Sequence, residues 1–157
     1  MDRFIGNMDA KTDAKGRVFV PSTFRKIFQS AGETRLILKK DVYQDCLILY
    51  PENVWHQELQ EMRKNMDKWD PDQQMVYRIF QMNMEILELD SNGRILIPKR
   101  YLQLAEISSE VRFVGMDDTI EIWAKHKLEQ PLMDPETYKE NIRKWMTKKP
   151  VSQEPLT

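Results

Sequence analysis

The sequence is poor in most of the groups on which enzymes depend. It has one cysteine, Cys46, and two histidines, His56 and His126. A single cysteine makes no disulfide within the chain, which fits a reducing compartment. Cys46 lies in the apolar run Cys46-Leu47-Ile48-Leu49-Tyr50 and reads as a buried structural thiol. His56 follows Trp55, and His126 sits between Lys125 and Lys127. Neither has a second His or a Cys at metal-ligand spacing. There is no GxSxG element, so no nucleophilic triad is indicated. Gly16 and Gly93 stand singly and cannot form a phosphate-cradling loop. Glu85, Glu88 and Asp90 alternate with Ile86, Leu87 and Leu89, as on the solvated face of a strand. The expectation is therefore no enzyme, no cofactor, no metal and no small-molecule substrate. Long apolar runs are missing too: none approaches about 18 residues, so no membrane span is expected. The N-terminus, Met1 to Gly6, lacks a signal-peptide core. A cytoplasmic protein is expected.

Net charge is also scarce, at −1, which by itself argues weakly against a polyanionic partner. Its distribution argues the other way. Residues 1–50 carry nine Lys/Arg against six Asp/Glu, and residues 84–123 carry four against eight. The intervening 51–83 hold four against six, and 124–157 hold seven against five. A basic first half and an acidic counterpart suggest that one has a polyanion to bind. A chain of 157 residues, 41% apolar, makes one domain or two small halves sharing a core.

What the sequence does have is a repeat. Asp13-Ala14-Lys15-Gly16-Arg17-Val18-Phe19-Val20-Pro21 returns 77 residues later as Asp90-Ser91-Asn92-Gly93-Arg94-Ile95-Leu96-Ile97-Pro98. Both copies read Asp, two residues, Gly-Arg, three apolar residues, Pro. Asp opens a tight turn by bonding to the backbone two residues on, and Gly supplies positive φ. The apolar triplets read as short strands buried on both faces, each ended by a proline with no N–H to donate. A short helix follows each proline, with Phe24, Ile27 and Phe28 on one face in the first copy. Tyr101, Leu104 and Ala105 hold the same places in the second.

Around the motifs, residues 3–12 read as a first strand, and Gly32 as the end of the first helix. Residues 36–38 and 46–50 read as a hairpin turning through 41–45. Pro51 opens a helix whose Trp55, Leu59, Met62, Met66 and Trp69 recur at spacings of four and three. That heptad-like seam fits either packing on its own domain or a subunit interface. Asp70-Pro71 caps a second helix bearing Met75, Val76, Ile79 and Phe80. The second half repeats the scheme, with a strand at 84–89, the motif, a helix at Tyr101, and a hairpin of 111–114 with 119–123 turning at Asp117-Asp118. Asp134-Pro135 opens a last helix with Tyr138, Ile142 and Trp145 on one side. Residues 148–157 read as a mobile tail. The expected organisation is a first repeat over 3–54, a helical connector over 55–82, a second repeat over 83–126, a C-terminal helix over 127–147 and the tail.

The doubled motif, with Leu49-Tyr50-Pro51, Arg78-Ile79-Phe80 and Phe113-Val114-Gly115…Glu121-Ile122-Trp123, resembles the MraZ family, relatives of the AbrB and SpoVT DNA-binding proteins. The likeness covers roughly residues 3–147. It implies an α+β fold of two tandem, swapped-hairpin or double-ψ β repeats forming a pseudo-dimeric barrel, with connecting and C-terminal helices. It also implies a ring-shaped homo-oligomer that regulates transcription from repeated promoter boxes upstream of the bacterial division and cell wall operon, which includes its own gene. The family pattern places an Arg four residues after each Pro. Arg25 fits in the first copy, but Leu102 stands there in the second.

The expected partner is double-stranded DNA at the nucleoid, because Lys and Arg neutralise phosphates and Arg reads guanine. The candidate contacts are Arg3, Lys11, Lys15, Arg17, Arg25 and Lys26, which share an edge if the strands flanking the first turn run side by side. Asp13, Gly16, Asp90, Gly93 and Arg94 are expected to build the turns. Arg17 and Arg94 could instead each lock its own turn by pairing with Asp13 or Asp90. Charge, Lys15 against Asn92, and Arg25 against Leu102 all point to the first turn as the reader and the second as builder of the barrel and ring. Trp55, Leu59, Met62, Met66 and Trp69 are the possible subunit interface. The alternative function is an oligomeric scaffold for a protein partner, such as a neighbouring methyltransferase or division protein.

Overall fold

Three apolar residues cannot make a stable sheet alone, and in this computed structural model the two triplets solve that by pairing with each other. The structure describes residues 3–147, so the tail at 148–157 lies outside the described residues. β2 (Arg17–Phe19) and β6 (Arg94–Leu96) form an antiparallel ribbon with Arg17 opposite Leu96, Val18 opposite Ile95 and Phe19 opposite Arg94. Val18 and Ile95 are buried, whereas Phe19 is 56% and Leu96 52% exposed. The expectation of burial on both faces is thus corrected. The ribbon covers the core from outside, and the period-two alternation of a strand sends every other residue to solvent.

The other six strands are β1 (Asn7–Lys11), β3 (Arg35–Lys40), β4 (Leu47–Pro51), β5 (Met84–Glu88), β7 (Glu110–Gly115) and β8 (Ile120–Ala124). They form one antiparallel sheet in the order β1-β7-β8-β4-β3-β5. The halves interleave: β1 of the first pairs with β7 of the second, and β5 of the second pairs with β3 of the first. β4 and β8 meet at the centre. The closed barrel expected from the sequence is not formed. Edge strands β1 and β5 do not pair with each other. Each runs into a motif turn that hands the chain to the separate ribbon.

Pro21 and Pro98 end the ribbon strands, and their fixed φ starts α1 (Ser22–Ser30) and α4 (Lys99–Leu104). α1 ends as its sequence indicates, with Gly32 at φ 69° and the Glu33 amide donating to the Phe28 carbonyl at 3.0 Å. Phe24, Phe28 and Tyr101 are buried between ribbon and sheet with Leu36, Leu38, Leu47, Leu49, Phe113, Ile120 and Ile122. Burial of each such side chain contributes about 1.5–3 kcal/mol.

A smaller cluster lies on the other face of β3 and β4, under α2 (Glu52–Lys64) and α3 (Pro71–Met82). Asp70 caps α3 by accepting from the Asp72 amide at 2.9 Å. Trp55 is only 2% exposed; its ring packs edge-on to Tyr50 and stacks on Phe80. Leu59 lies against the same cluster. Of the two readings of this seam, Trp55 and Leu59 follow packing on their own domain, because this stripe of α2 meets its own sheet. The seam is also broken, since α2 ends at Lys64 and Met66 and Trp69 fall in the link to α3. Met62 and Met66 are half-buried and Trp69 is 81% exposed. α5 (Pro135–Thr147) has no buried residue, and Tyr138, Ile142 and Trp145 are exposed along it. Among the described residues no helix is long and apolar enough to cross a membrane.

Candidate nucleic-acid interface

Both motif turns fold by the same local chemistry. In the first, Asp13 Oδ1 accepts from the amides of Lys15 and Arg17, both at 2.9 Å. The Gly16 amide donates to the Asp13 carbonyl at 3.0 Å, and Gly16 takes φ 93°. The second turn matches it bond for bond. Asp90 Oδ1 accepts from Asn92 at 2.9 Å and Arg94 at 2.8 Å, and Gly93 takes φ 84°. Each arginine then folds back onto its own aspartate, Arg17 Nε to Asp13 Oδ2 at 2.7 Å and Arg94 Nε to Asp90 Oδ2 at 3.0 Å.

These bonds hold both carboxyls below the usual carboxylate range. In each turn the largest cause is the bond from the arginine's backbone amide, and its guanidinium adds to it. Only Nε of each arginine is engaged among the described residues, so the terminal nitrogens keep their donors. Each arginine is locked to its turn and still able to donate outward.

The turns are tied to each other. The Val20 amide donates to the Gly93 carbonyl at 3.0 Å, and the Ile97 amide to the Gly16 carbonyl at 2.9 Å. Each turn's entry is pinned to the opposite half as well: the Thr12 amide donates to the Ser109 carbonyl at 2.8 Å and the Leu89 amide to the Thr34 carbonyl at 3.0 Å. The turns therefore flank the ribbon, and its outward positions are Arg17, Phe19, Arg94 and Leu96. Arg17 and Arg94 are diagonal neighbours on one face, a relation that places two residues roughly 7–8 Å apart. The Arg94 guanidinium lies 5.8 Å from the Phe19 ring centre.

Lys15 is exposed at the first turn, where the second carries exposed Asn92. Lys11 is exposed at the end of β1 opposite Glu110, and Lys26 is exposed on α1. Arg3 does not join this group. It lies beyond the far end of β1, a strand about 17 Å long, and pairs with Asp117 at 3.2 Å. Arg25 does not lie on the first turn either. A Cβ added to Gly93 would meet Arg25 Cδ and Nη1 at 2.5 Å, so this side chain covers the second turn. Leu102 takes the mirror place over Gly16, its Cδ1 3.4 Å from the same imagined atom. Arg100 is engaged elsewhere, donating to Asn83 Oδ1 at 2.8 Å.

Phe19 and Leu96 share the outward face of this candidate interface, where the sequence reading buries them. Strand alternation beside the outward Arg17 and Arg94 was the available signal. Among the described residues no group of His, Cys, Asp and Glu is arranged to hold a metal ion.

The family model for the MraZ protein matches residues 4–79 and again 80–140, one match to each half. A Bacteroides thetaiotaomicron protein named transcriptional regulator MraZ is 56% identical over 138 residues, covering 88% of this chain and 88% of that protein. A Phocaeicola vulgatus protein of the same name is 53% identical over 144 residues, 92% of this chain and 94% of the relative. At greater distance, the protein so named from Coxiella burnetii is 30% identical over 126 residues, 80% of this chain and 82% of its own length.

Proposed function

This chain belongs to the MraZ family, and we propose that it is a sequence-specific DNA-binding transcriptional regulator that meets DNA with the outer face of the β2–β6 ribbon. One observation carries the reading: both motif arginines sit on the same solvent-facing side of one two-stranded ribbon, each fixed at Nε and open at its terminal nitrogens. A two-stranded ribbon fits the major groove, where Arg reads guanine and apolar groups such as Phe19 and Leu96 meet thymine methyls. Lys15 and Lys11 supply phosphate contacts that position the ribbon. The proposal gives both turns to DNA rather than the first alone, because the turns are alike and share one face.

The targets proposed are repeated boxes upstream of the division and cell wall operon that includes the chain's own gene, with the protein acting in the cytoplasm at the nucleoid. A ring of identical chains would engage several boxes together, and such linkage raises avidity by roughly 10²–10⁴. Exposed Trp69, with Met75, Val76, Ile79 and Met82 on α3 and Tyr138, Ile142 and Trp145 on α5, supports self-association. Single exposed apolar residues are ordinary, but several exposed along one helix, as on α3 beside the packed Phe80 and along α5, are not. Footprinting the purified protein on the DNA upstream of its own gene tests the reading. Protection of short direct repeats is expected, and uniform or absent protection would contradict it.

A further inference from the structure

The two turns differ in what covers their glycines, and the difference carries charge. The residue four places after each motif proline crosses to the other half and lies over that half's turn glycine. Over Gly16 it is Leu102, and over Gly93 it is Arg25. Both glycines are buried beneath these side chains. Arg25 itself is only partly covered, and its one bond among the described residues is a long one, Nη1 to the Val20 carbonyl at 3.4 Å. Val20 is the residue whose amide bonds the Gly93 carbonyl. The guanidinium is thus held against the second turn by packing, with most of its donors unspent.

We propose that Arg25, carried by α1 of the first half, is a DNA-contacting residue of the second turn, where it binds a phosphate beside the bases met by Arg94. This rests on the DNA-binding reading above and names a residue and a side for it. The cations then divide evenly, Lys15 and Arg17 at the first turn, Arg25 and Arg94 at the second. The acidic second half gains its missing phosphate ligand from the basic first half through the interleaving of the chain. The contact is a phosphate rather than a base, because Arg25 lies over the turn backbone and not at an outward ribbon position. Contacts of that kind position a protein without reading sequence.

The test uses the full chain with Arg25→Met, which keeps an apolar stem over Gly93 and removes the charge. Affinity is measured against salt by fluorescence anisotropy, on the fragment upstream of the chain's own gene and on a random-sequence duplex. Arg25→Met is expected to weaken binding to both duplexes by a similar factor, with an unchanged melting temperature. It should also flatten the log–log salt slope by about 0.9 per bound chain. Double-mutant cycles locate the contact: Arg25→Met should be non-additive with Arg94→Ala and additive with Lys15→Ala. An unchanged salt slope, or coupling to Lys15 and not to Arg94, would overturn the assignment. Should Arg25→Met melt early, Arg25→Lys must restore both the slope and the affinity, and failure to do so counts against a phosphate contact. If the unaltered protein binds neither duplex, the DNA-binding reading itself fails, a result distinct from these.

Discussion

The ammonium of Lys39 lies 4.1 Å from the centre of the Phe80 ring, although Lys39 is only 4% exposed. Burial lowers its pKa, opposed by the carboxylates of Glu58 and Asp41. Phe80 in turn stacks on Trp55, so one ring joins α3 to both β3 and α2. Phe80→Ala is expected to cost about 2–3 kcal/mol, below the full range for aromatic truncation because the ring is partly exposed. Lys39→Met should be near neutral, since a buried charge is exchanged for an apolar stem of similar length. Urea melts of the two variants check both values.

The turn glycines should not be equally replaceable. A Cβ on Gly16 meets the Ile97 carbonyl oxygen, rigid backbone, at 2.5 Å, whereas on Gly93 it meets the flexible Arg25 side chain. Both carry the strain of positive φ, roughly 1–2 kcal/mol for a residue with a Cβ. Gly16→Ala should therefore lower the melting temperature more than Gly93→Ala. Gly93→Ala should lose DNA affinity by displacing Arg25.

Acid should loosen the turns. Asp13 and Asp90 are held below the usual carboxylate range in the folded chain, while an unfolded Asp titrates near about 3.9. A depressed folded value means that the unfolded chain takes up protons first. The stabilisation is then complete above about pH 5 and is lost as pH falls through the folded values. Asp13→Asn and Asp90→Asn should each flatten the loss of stability below that point, measured by thermal melts from pH 2 to 6.

Burial pushes the Cys46 thiol up to about 12. The thiolate is the reactive form, so a thiol reagent at pH 8 should label Cys46 only as fast as the chain opens. Labelling in the native protein at the rate seen in urea would contradict this.

The motif turns were fully legible in the sequence because their chemistry is local: Asp, Gly and Arg act within five residues. Short apolar runs and prolines gave the elements for the same reason. Pairing partners were not legible. The exchange of β1 and β5 between halves depends on contacts about a hundred residues apart for β1 and about fifty for β5, and it decides that Arg25 covers Gly93 and not its own turn. The open sheet was missed because the sequence does not say whether two edge strands reach each other. The place of Trp55 stayed open in the sequence because heptad spacing is the same for a helix on its own sheet and one on a neighbour. No Gly or Pro marks the end of α2 near Lys64, so the seam seemed longer than the helix.

The proposed ring predicts a mass of several chains in solution, with Trp69→Ser and Ile142→Ser shifting it toward the monomer. Light scattering of the purified protein decides this. A monomer that binds DNA with unimpaired affinity would exclude the ring.

The most direct measurement is the affinity of Arg17→Ala and Arg94→Ala for the fragment upstream of the chain's own gene, by fluorescence anisotropy beside a thermal melt. Loss of a guanine contact costs about 1–3 kcal/mol, so each variant should bind at least roughly tenfold more weakly through repeated sites. Comparable losses from both, in folded protein, are the predicted result. Full affinity in both variants, with the turns intact, would contradict the ribbon as the DNA-binding face.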